Sequence, residues 1–310
     1  MATNFKNFLD VITYFQNPQF ATDYLISMRW DGHVTCVFCG HDKVYLLKGK
    51  TKRFKCCKCR NQFSATKGSI FENSAVPLCK WFAAVYLMAN HKKGISSLQL
   101  SRDLSVTQRT AWFMLQRIRF AFANKTFEKL SGVVECDETY AGGHVKNQHY
   151  EKRINKHIVK QGLSEKTAVF AMLQRGGEVV AFNVGTNPNT ELLQPIINGA
   201  TNTDTTIVTD GFGAYRGLNK SRKHEVVNHS QDEFVRGDFH TNSVEGFFSQ
   251  LKRSIYGIYH SVSPKHLHRY VDETAYRYNT RQTTDLNRFD LSLSRTHNKR
   301  LTYKELTGKK

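Results

Sequence analysis

The chain has 310 residues, with 45 lysines and arginines against 26 aspartates and glutamates, a formal net charge of +19. Its hydrophobic content of 40%, with 21 phenylalanines and 13 tyrosines, excludes a disordered basic tail and predicts one large or two to three small folded domains. Because the positive charge is spread from Lys6 to Lys310, we expect a broad contact surface for a polyanion, most simply a nucleic acid backbone, although a generically basic protein is the alternative.

The compartment is predicted from the start of the chain and from its apolar runs. Residues 1–10 carry Lys6 and Asp10 and lack the apolar stretch of a secretion signal. The longest apolar run, residues 81–89, is far shorter than the ~20 residues of a membrane helix. We therefore expect a cytoplasmic protein without a membrane partner, whose seven cysteines are metal ligands or buried thiols rather than disulfides.

After two short amphipathic helices in residues 1–30, the chain presents two C-x-x-C pairs. These are Cys36 with Cys39 and Cys56 with Cys59, and sixteen residues separate the pairs. Two such pairs complete a tetrahedron of thiolates around zinc, and four cysteine ligands leave no open position. The pattern therefore predicts a structural zinc rather than a catalytic one. Cys57 is an alternative to Cys56, but only Cys56 preserves the two-residue gap to Cys59.

The segment between the cysteine pairs has the pattern of a zinc ribbon. Residues 43–47 and 52–55 are predicted strands on either side of Gly49. The ribbon is strongly basic, which makes it a candidate DNA contact.

Two helices joined by a short turn are predicted next. The first spans residues 95–104 with Ser96 as its N-cap, and the second begins at Thr107. Gln108 and Arg109 lie at the start of the second helix, where a helix-turn-helix protein reads base edges. A plain helical bundle produces the same pattern, so both interpretations stay open.

The pattern changes from helical to β-rich across residues 124–131. We therefore predict three domains: residues 1–65 with N-terminal helices and zinc ribbon, 66–128 with the helix-turn-helix, and 129–310 with a catalytic domain and C-terminal helical tail. A loop near the active face is expected at 142–161. The predicted strands are 133–140, 167–173, 179–184, 206–209 and 225–228, with helices at 190–198, around Glu245 and at 264–278. This order of strands and helices is that of an RNase H-like α/β fold, so the whole chain is predicted to be a multidomain α+β protein.

Three acidic residues occupy defined positions in this order of strands and helices. Asp137 lies on the first strand, Asp210 ends the fourth strand, and Glu245 lies on the helix that follows. Because the first and fourth strands are neighbours in that fold, the carboxylates are expected to converge on divalent cations, which prefer oxygen ligands. Glu138 is the most plausible substitute for one of them.

The helix that carries Glu245 is predicted to begin at Asn242, as its N-cap, with Glu245 in the capping-box position. Phe247, Leu251 and their apolar neighbours form one buried stripe. Glu245 and Lys252, seven residues apart, lie within about 20° of each other beside that stripe. The alternative is that Glu245 only caps the helix and Lys252 is simply solvated.

Together these motifs resemble the bacterial insertion-sequence transposases that have an N-terminal zinc ribbon and a DDE core, the ISXO-like group. The resemblance runs from about Asp23 to the C-terminus. It rests on the four cysteines and on the following motifs: Asp137-Glu138-Thr139-Tyr140 with Gly142-Gly143, Thr209-Asp210-Gly211, His240-Thr241-Asn242 with Glu245-Gly246, Leu251-Lys252-Arg253 and Gly257-Ile258-Tyr259-His260.

The resemblance implies that Asp137, Asp210 and Glu245 bind Mg²⁺ or Mn²⁺ and catalyse DNA cleavage and strand transfer. It implies that Lys252 contacts DNA at the cleaved end, with Asn242 and His240 in the same motif. The expected partner is double-stranded DNA, both insertion-sequence ends and target, bound by a homodimer in the bacterial nucleoid. A non-catalytic DNA-binding regulator and an RNase H-like nuclease that does not join DNA are the alternatives.

Overall fold

Two compact units make up the chain. The computed structural model describes residues 5–49, 51–123, 128–142, 166–228, 231, 233 and 235–308. Unit 1 comprises Met1–Ala123 and Gln282–Lys310, and unit 2 comprises Asn124–Arg281. The C-terminal segment, which the sequence grouped with residues 129–281, thus belongs by its contacts to unit 1.

Unit 1 is mainly helical. The cap of its fourth helix follows the sequence prediction, since the Ser96 side chain accepts a hydrogen bond from the Gln99 amide. Thr107 caps the next helix in the same way through the Thr110 amide. The described helices of its first segment are α1 (Phe8–Phe15), α2 (Pro18–Trp30), α3 (Leu78–Asn90), α4 (Ser97–Leu104) and α5 (Gln108–Phe122).

Aromatic rings form the core of these helices. The Phe15 ring lies edge-on to Phe82, with centroids 4.7 Å apart, and Phe82 in turn contacts Phe289 at 6.1 Å. Phe289 lies near the C-terminus, so the last part of the chain completes a core that the first part begins. Such edge-to-face pairs stabilise a core beyond their buried area.

Polar contacts also tie the C-terminal segment to unit 1. Buried Arg117 donates hydrogen bonds to the carbonyls of Leu301, at 3.0 Å, and Ile70, at 2.9 Å. Lys299 donates to the carbonyl of Ala121 at 2.9 Å. These bonds satisfy carbonyls on three separate stretches of chain, which explains why this segment does not group with unit 2.

The zinc-ribbon segment of unit 1 is a three-stranded antiparallel sheet. Its strands are β1 (Val44–Leu47), β2 (Arg53–Cys56) and β3 (Gln62–Ser64), in that order. The first two confirm the predicted strands, and β3 was not predicted. Phe54 on β2 pairs with Phe63 on β3, and their stacked rings are 5.6 Å apart.

Unit 2 contains a five-stranded mixed sheet. Its strands are β4 (Val133–Ala141), β5 (Thr167–Gln174), β6 (Val179–Gly185), β7 (Thr206–Thr209) and β8 (Lys223–Val226), in the order β6-β5-β4-β7-β8. β4 pairs antiparallel with β5 but parallel with β7, with Val134 opposite Ile207. The predicted adjacency of the first and fourth strands is confirmed. β8 begins two residues before the predicted fifth strand. Of the predicted loop at 142–161, only Gly142 lies within the described residues.

Helices cover both faces of this sheet. On one face, α6 (Thr190–Ala200) packs Leu193 and Ile197 against Cys136 of β4. On the other face, α7 (Asn242–Ser254) and α8 (Leu267–Asn279) pack against Val169 of β5 and its neighbours. Because side chains alternate across a strand, residues two apart on β4 face the same helices.

The remaining helices are α9 (Asp285–Ser294) and α10 (Tyr303–Thr307), which lie in the predicted C-terminal helical tail, although no bounds were predicted for them. The chain is thus a mixed α+β protein. Within the described ranges, every helix is too short or too polar to cross a membrane.

Candidate functional site

The four predicted zinc ligands lie together in the ribbon. The Sγ atoms of Cys36, Cys39, Cys56 and Cys59 are all within 4.8 Å of one another. Cys36 Sγ is 3.6 Å from Cys59 Sγ, and Cys39 Sγ is 3.7 Å from Cys56 Sγ. Four sulfurs bound tetrahedrally at ~2.3 Å from zinc lie about 3.8 Å apart. The cluster therefore fits a tetrahedral zinc ion.

Backbone amides point at two of these sulfurs. Phe38 N donates to Cys36 Sγ at 3.4 Å, and Cys59 N donates to Cys56 Sγ at 3.5 Å. Burial acts to raise the pKa of Cys56, but the amides of Cys59 and Lys58 and the neighbouring thiols lower it to about 7. Such donors favour the thiolate, which is the form that binds metal.

Cys57 lies outside the cluster. Its Sγ is 3.8 Å from the Tyr45 hydroxyl, whereas Cys56 is buried and its Sγ lies among those of the other three ligands. β2 ends at Cys56, and Cys57 begins the turn that leads to Cys59, with its amide bonded to the Lys43 carbonyl at 3.0 Å. The ambiguity between Cys56 and Cys57 is thus resolved in favour of Cys56.

Three carboxylates from distant parts of the sequence influence one another in unit 2. Asp137 lies on β4, Asp210 directly follows β7, and Glu245 lies in the first turn of α7. Burial, together with the charges of Glu138, Asp210 and Glu245, raises the pKa of Asp137 to about 8, although a hydrogen bond from the Glu138 amide acts to lower it. A like charge raises the pKa of a carboxyl in this way only when it lies near that carboxyl.

Each of these carboxylates also accepts a local hydrogen bond. Asp210 Oδ1 accepts from the Phe212 amide at 3.0 Å, and Glu245 Oε1 accepts from the Thr241 hydroxyl at 2.9 Å. Among the described residues, the four cysteines are the one group of three or more side chains placed to hold a metal ion as they stand. The carboxylates nevertheless suit a divalent cation chemically, because oxygen ligands are what such ions prefer and a cation relieves their mutual repulsion.

Glu138, the alternative carboxylate, faces the other side of the sheet. As the residue after Asp137 on β4, it points away from α7, and its Oε2 accepts a hydrogen bond from the Tyr215 hydroxyl at 2.5 Å. Burial raises the pKa of Glu138 to about 7. Tyr215 belongs to the core beneath α6, so Glu138 is directed toward that core rather than toward Glu245.

The start of α7 differs from the prediction. Asn242 was predicted as the N-cap, but it is the first helical residue, and Thr241 is the cap without a side-chain bond to the backbone. With Thr241 as the cap, Glu245 is the fourth helical residue rather than the third, so it is not in the capping-box position; its carboxylate accepts a hydrogen bond from the Thr241 hydroxyl. The prediction was wrong because another part of the chain satisfies the free amides of the first turn.

That part is Glu135, a residue that sequence reasoning missed. Its carboxylate is fully buried and accepts hydrogen bonds from Ser243 N at 2.8 Å, Ser243 Oγ at 3.0 Å and Val244 N at 3.1 Å. It also accepts one from Arg175 Nε at 2.9 Å. The available signal was an acidic residue two positions before Asp137 within an otherwise apolar strand.

The predicted DNA-contacting residues of unit 2 have different surroundings. Asn242 and Lys252 are exposed on α7, close to Glu245 in the helical order. His240 is partly buried, and its Nδ1 lies 3.3 Å from Glu135 Oε1. Asn242 and Lys252 are thus accessible to a ligand, whereas His240 faces the interior on at least one side.

The two predicted base-reading residues of unit 1 make contacts within that unit. Gln108 Nε2 donates to Ser97 Oγ at 2.7 Å, which links the starts of α5 and α4. The Arg109 guanidinium lies over the Tyr303 ring, 4.8 Å from its centroid. Both side chains start from the first turn of α5, where the sequence placed them.

Two segments of the chain match known protein families. Residues 129–279 match the ISXO2-like transposase domain, and residues 19–62 match the transposase zinc-ribbon domain. The chain is also similar to an uncharacterized protein in transposable element ISH50 of Halobacterium salinarum. The two are 30% identical over 258 residues, which cover 78% of this chain and 84% of that protein.

Proposed function

Because the chain belongs to the family of ISXO2-like transposases, we propose that it is a DNA transposase that cuts insertion-sequence ends and joins the freed 3′-OH to target DNA. The two matched domains imply DNA binding, and the net charge of +19 supports it. The observation that carries the catalytic part is the parallel pairing of β4, which bears Asp137, with β7, which leads directly to Asp210. The charges of Asp210 and of Glu245, in the first turn of α7, both act on the buried Asp137 carboxyl.

The strand order supports an RNase H-like core in unit 2. Three antiparallel strands lead into two parallel ones, so that β4 and β7 are central neighbours. This arrangement brings Asp137 and Asp210 to adjacent strands although they are far apart in sequence. In unit 1, the capped pair α4 and α5 is our candidate helix-turn-helix, with Gln108 and Arg109 as its reading residues.

Asp137, Asp210 and Glu245 are the proposed ligands of Mg²⁺ or Mn²⁺. Such ions, when bound, activate the attacking oxygen and neutralise charge on the phosphate. The burial of Asp137 and the charges of its neighbours raise the cost of its ionisation, and this makes the site receptive to a cation. Lys252 lies seven residues beyond Glu245, about 10.5 Å along the helix, and we assign it to a DNA phosphate beside the cut.

The remaining assignments follow from this function. We propose that the four-cysteine cluster holds zinc to stabilise the ribbon, whose basic residues contact DNA. We propose a homodimer on DNA because two insertion-sequence ends must be processed together, and action at the nucleoid because DNA is the substrate. We propose that His240 helps to position the start of α7 rather than contacting a DNA base directly.

The test is the isosteric variant Asp137→Asn, compared with Asp204→Asn, an exposed aspartate just before β7. Cleavage and joining of labelled insertion-sequence ends are measured with Mg²⁺ or Mn²⁺, and DNA binding is measured in parallel. We expect Asp137→Asn to lose cleavage and joining but keep DNA binding, and Asp204→Asn to behave as wild type. Retained strand transfer in Asp137→Asn would reject the assignment.

The products separate the other functions. Metal-dependent cuts without a joined product would identify a nuclease. DNA binding by wild-type protein without any metal-dependent cut would identify a non-catalytic regulator.

A further inference from the structure

The buried carboxylate of Glu135 links the strand that carries Asp137 to the helix that carries Glu245. We propose that Glu135 is a positioning residue that sets the distance between these two acidic residues, an inference that rests on the proposed function. Its partners on α7 are the amides of Ser243 and Val244, which directly precede Glu245. The link therefore joins β4 to α7 at points within two residues of Asp137 and of Glu245.

The geometry of β4 gives the first reason. Glu135 and Asp137 are two residues apart on one strand, so both face α7, about 7 Å apart along the strand. Glu135 is hydrogen-bonded to the first turn of α7. If these bonds were lost, that turn could shift, and Glu245 would move relative to Asp137. A displacement of about 1 Å at a catalytic group can lower the rate about 100-fold.

Arg175 extends the same link to the segment before the helix. Its Nε bonds to Glu135, while its Nη1 and Nη2 donate to the carbonyls of Asp238 and His240. One guanidinium thus holds the buried carboxylate and the two carbonyls that lead into α7. Its positive charge also compensates the negative charge of Glu135, which has no exposed surface.

The hydrogen bonds at this position suit a carboxylate better than an amide. The four groups that bond to Glu135 are all donors: Ser243 N, Ser243 Oγ, Val244 N and Arg175 Nε. A carboxylate accepts from all of them, whereas the amide of glutamine would present its own N–H groups to at least one donor. A negative charge at the first turn also interacts favourably with the helix dipole.

Glu273 supplies a matched control. It is also fully buried in unit 2 and accepts hydrogen bonds from the Tyr259 hydroxyl and from Arg277, on α8 and the segment before it. Glu273→Gln therefore removes a buried, arginine-paired carboxylate without removing the link between β4 and the start of α7. The Glu273→Gln variant therefore measures how much stability is lost when a buried, arginine-paired carboxylate is replaced at another place in unit 2.

The experiment compares Glu135→Gln and Glu273→Gln in the full chain, with and without Mn²⁺. We expect Glu135→Gln to need about tenfold more Mn²⁺ for half-maximal DNA cleavage and to cut about 100-fold more slowly, with unchanged DNA binding. The amides of Ser243 and Val244 should exchange faster with deuterium in this variant. The rise in melting temperature caused by Mn²⁺ alone should shrink in it too. Glu273→Gln should lower the melting temperature similarly but keep the wild-type Mn²⁺ requirement and amide exchange.

Wild-type Mn²⁺ requirement and amide protection in Glu135→Gln, or an equal rise of the Mn²⁺ requirement in Glu273→Gln, would overturn the positioning role. A wild-type protein that does not cut DNA with Mn²⁺ would instead refute the proposed function. If Glu135→Gln does not fold, Arg175→Lys decides the matter. A single ammonium cannot bond to Glu135 and both carbonyls as the guanidinium does, so a raised Mn²⁺ requirement supports the role and an unchanged one rejects it.

Discussion

Two adjacent cysteines offer a sharp test of the zinc cluster. Cys56 lies in the group of four thiols, while Cys57 contacts Tyr45 instead. Replacing either one by serine changes a single atom at neighbouring positions of the same strand end. We expect Cys56→Ser to lose zinc and Cys57→Ser to keep it.

The magnitude follows from the number of ligands. Structural zinc sites contribute about 10–16 kcal/mol of binding free energy at neutral pH, which is about 2.5–4 kcal/mol for each of four thiolates. Removing one ligand should therefore weaken zinc binding by about two to three orders of magnitude. Two of the four buried residues in the described ribbon core are the ligands Cys36 and Cys56, beside Phe54 and Phe63, so the loss of zinc should also destabilise the ribbon.

The assay is competition with a chromophoric chelator, followed by metal analysis of the protein. Wild type and Cys57→Ser should retain one zinc per chain at chelator concentrations that strip Cys56→Ser. Zinc loss from Cys57→Ser, or zinc retention by Cys56→Ser equal to wild type, would refute the ligand assignment. Cys39→Ser, which changes a ligand from the other pair, should behave as Cys56→Ser does.

Three further predictions concern stability. Phe247→Ala removes a fully buried ring from α7 and should lower the free energy of unfolding by about 3–5 kcal/mol, measured with denaturant. Tyr256→Ala, at a residue that is 47% exposed, should lower it far less, and equal losses would contradict the packing. Ser96→Ala should lower the free energy of unfolding of unit 1 by about 1 kcal/mol through the lost N-cap of α4, and an unchanged midpoint would argue against the cap. Burial and the charge of Arg29 lower the pKa of His297 from 6.5 to about 4, so between these values the unfolded chain binds more protons. Stability should accordingly fall by at most about 3 kcal/mol as the pH falls from 6.5 to 4, and His297→Gln should flatten that slope in urea unfolding measured across this range.

Periodicity and spacing were sufficient to predict many of the elements. The strands and helices of unit 2 were predicted within a few residues, because alternating and helical apolar patterns report which side of an element is buried. The two C-x-x-C pairs predicted the cysteine cluster, since two-residue gaps place both thiolates of a pair on one ion. The motifs around Asp137, Asp210 and Glu245 predicted the family, which the comparisons confirm.

Elements whose stability depends on distant partners were predicted less well. The bounds of α9 within the predicted helical tail were not found, and Phe289 on it completes an aromatic core with Phe15 and Phe82 from the first hundred residues. The third ribbon strand was missed because it is only three residues long and its pairing with β2 is not visible in its own sequence. The C-terminal segment joins unit 1 through bonds such as those of Arg117 to the Leu301 carbonyl and of Lys299 to the Ala121 carbonyl.

The start of α7 shows the difference most clearly. The sequence by itself determined that a helix begins near residue 242 and that Glu245 lies in its first turn. Only the tertiary structure decided what satisfies its first amides, because Glu135 lies 108 residues before Ser243. Local sequence determines capping only when the acceptor is a near neighbour in the chain. Here the acceptor is the buried carboxylate of Glu135 on β4. It meets the first amides of α7 only after the sheet has formed and the helix has packed against it.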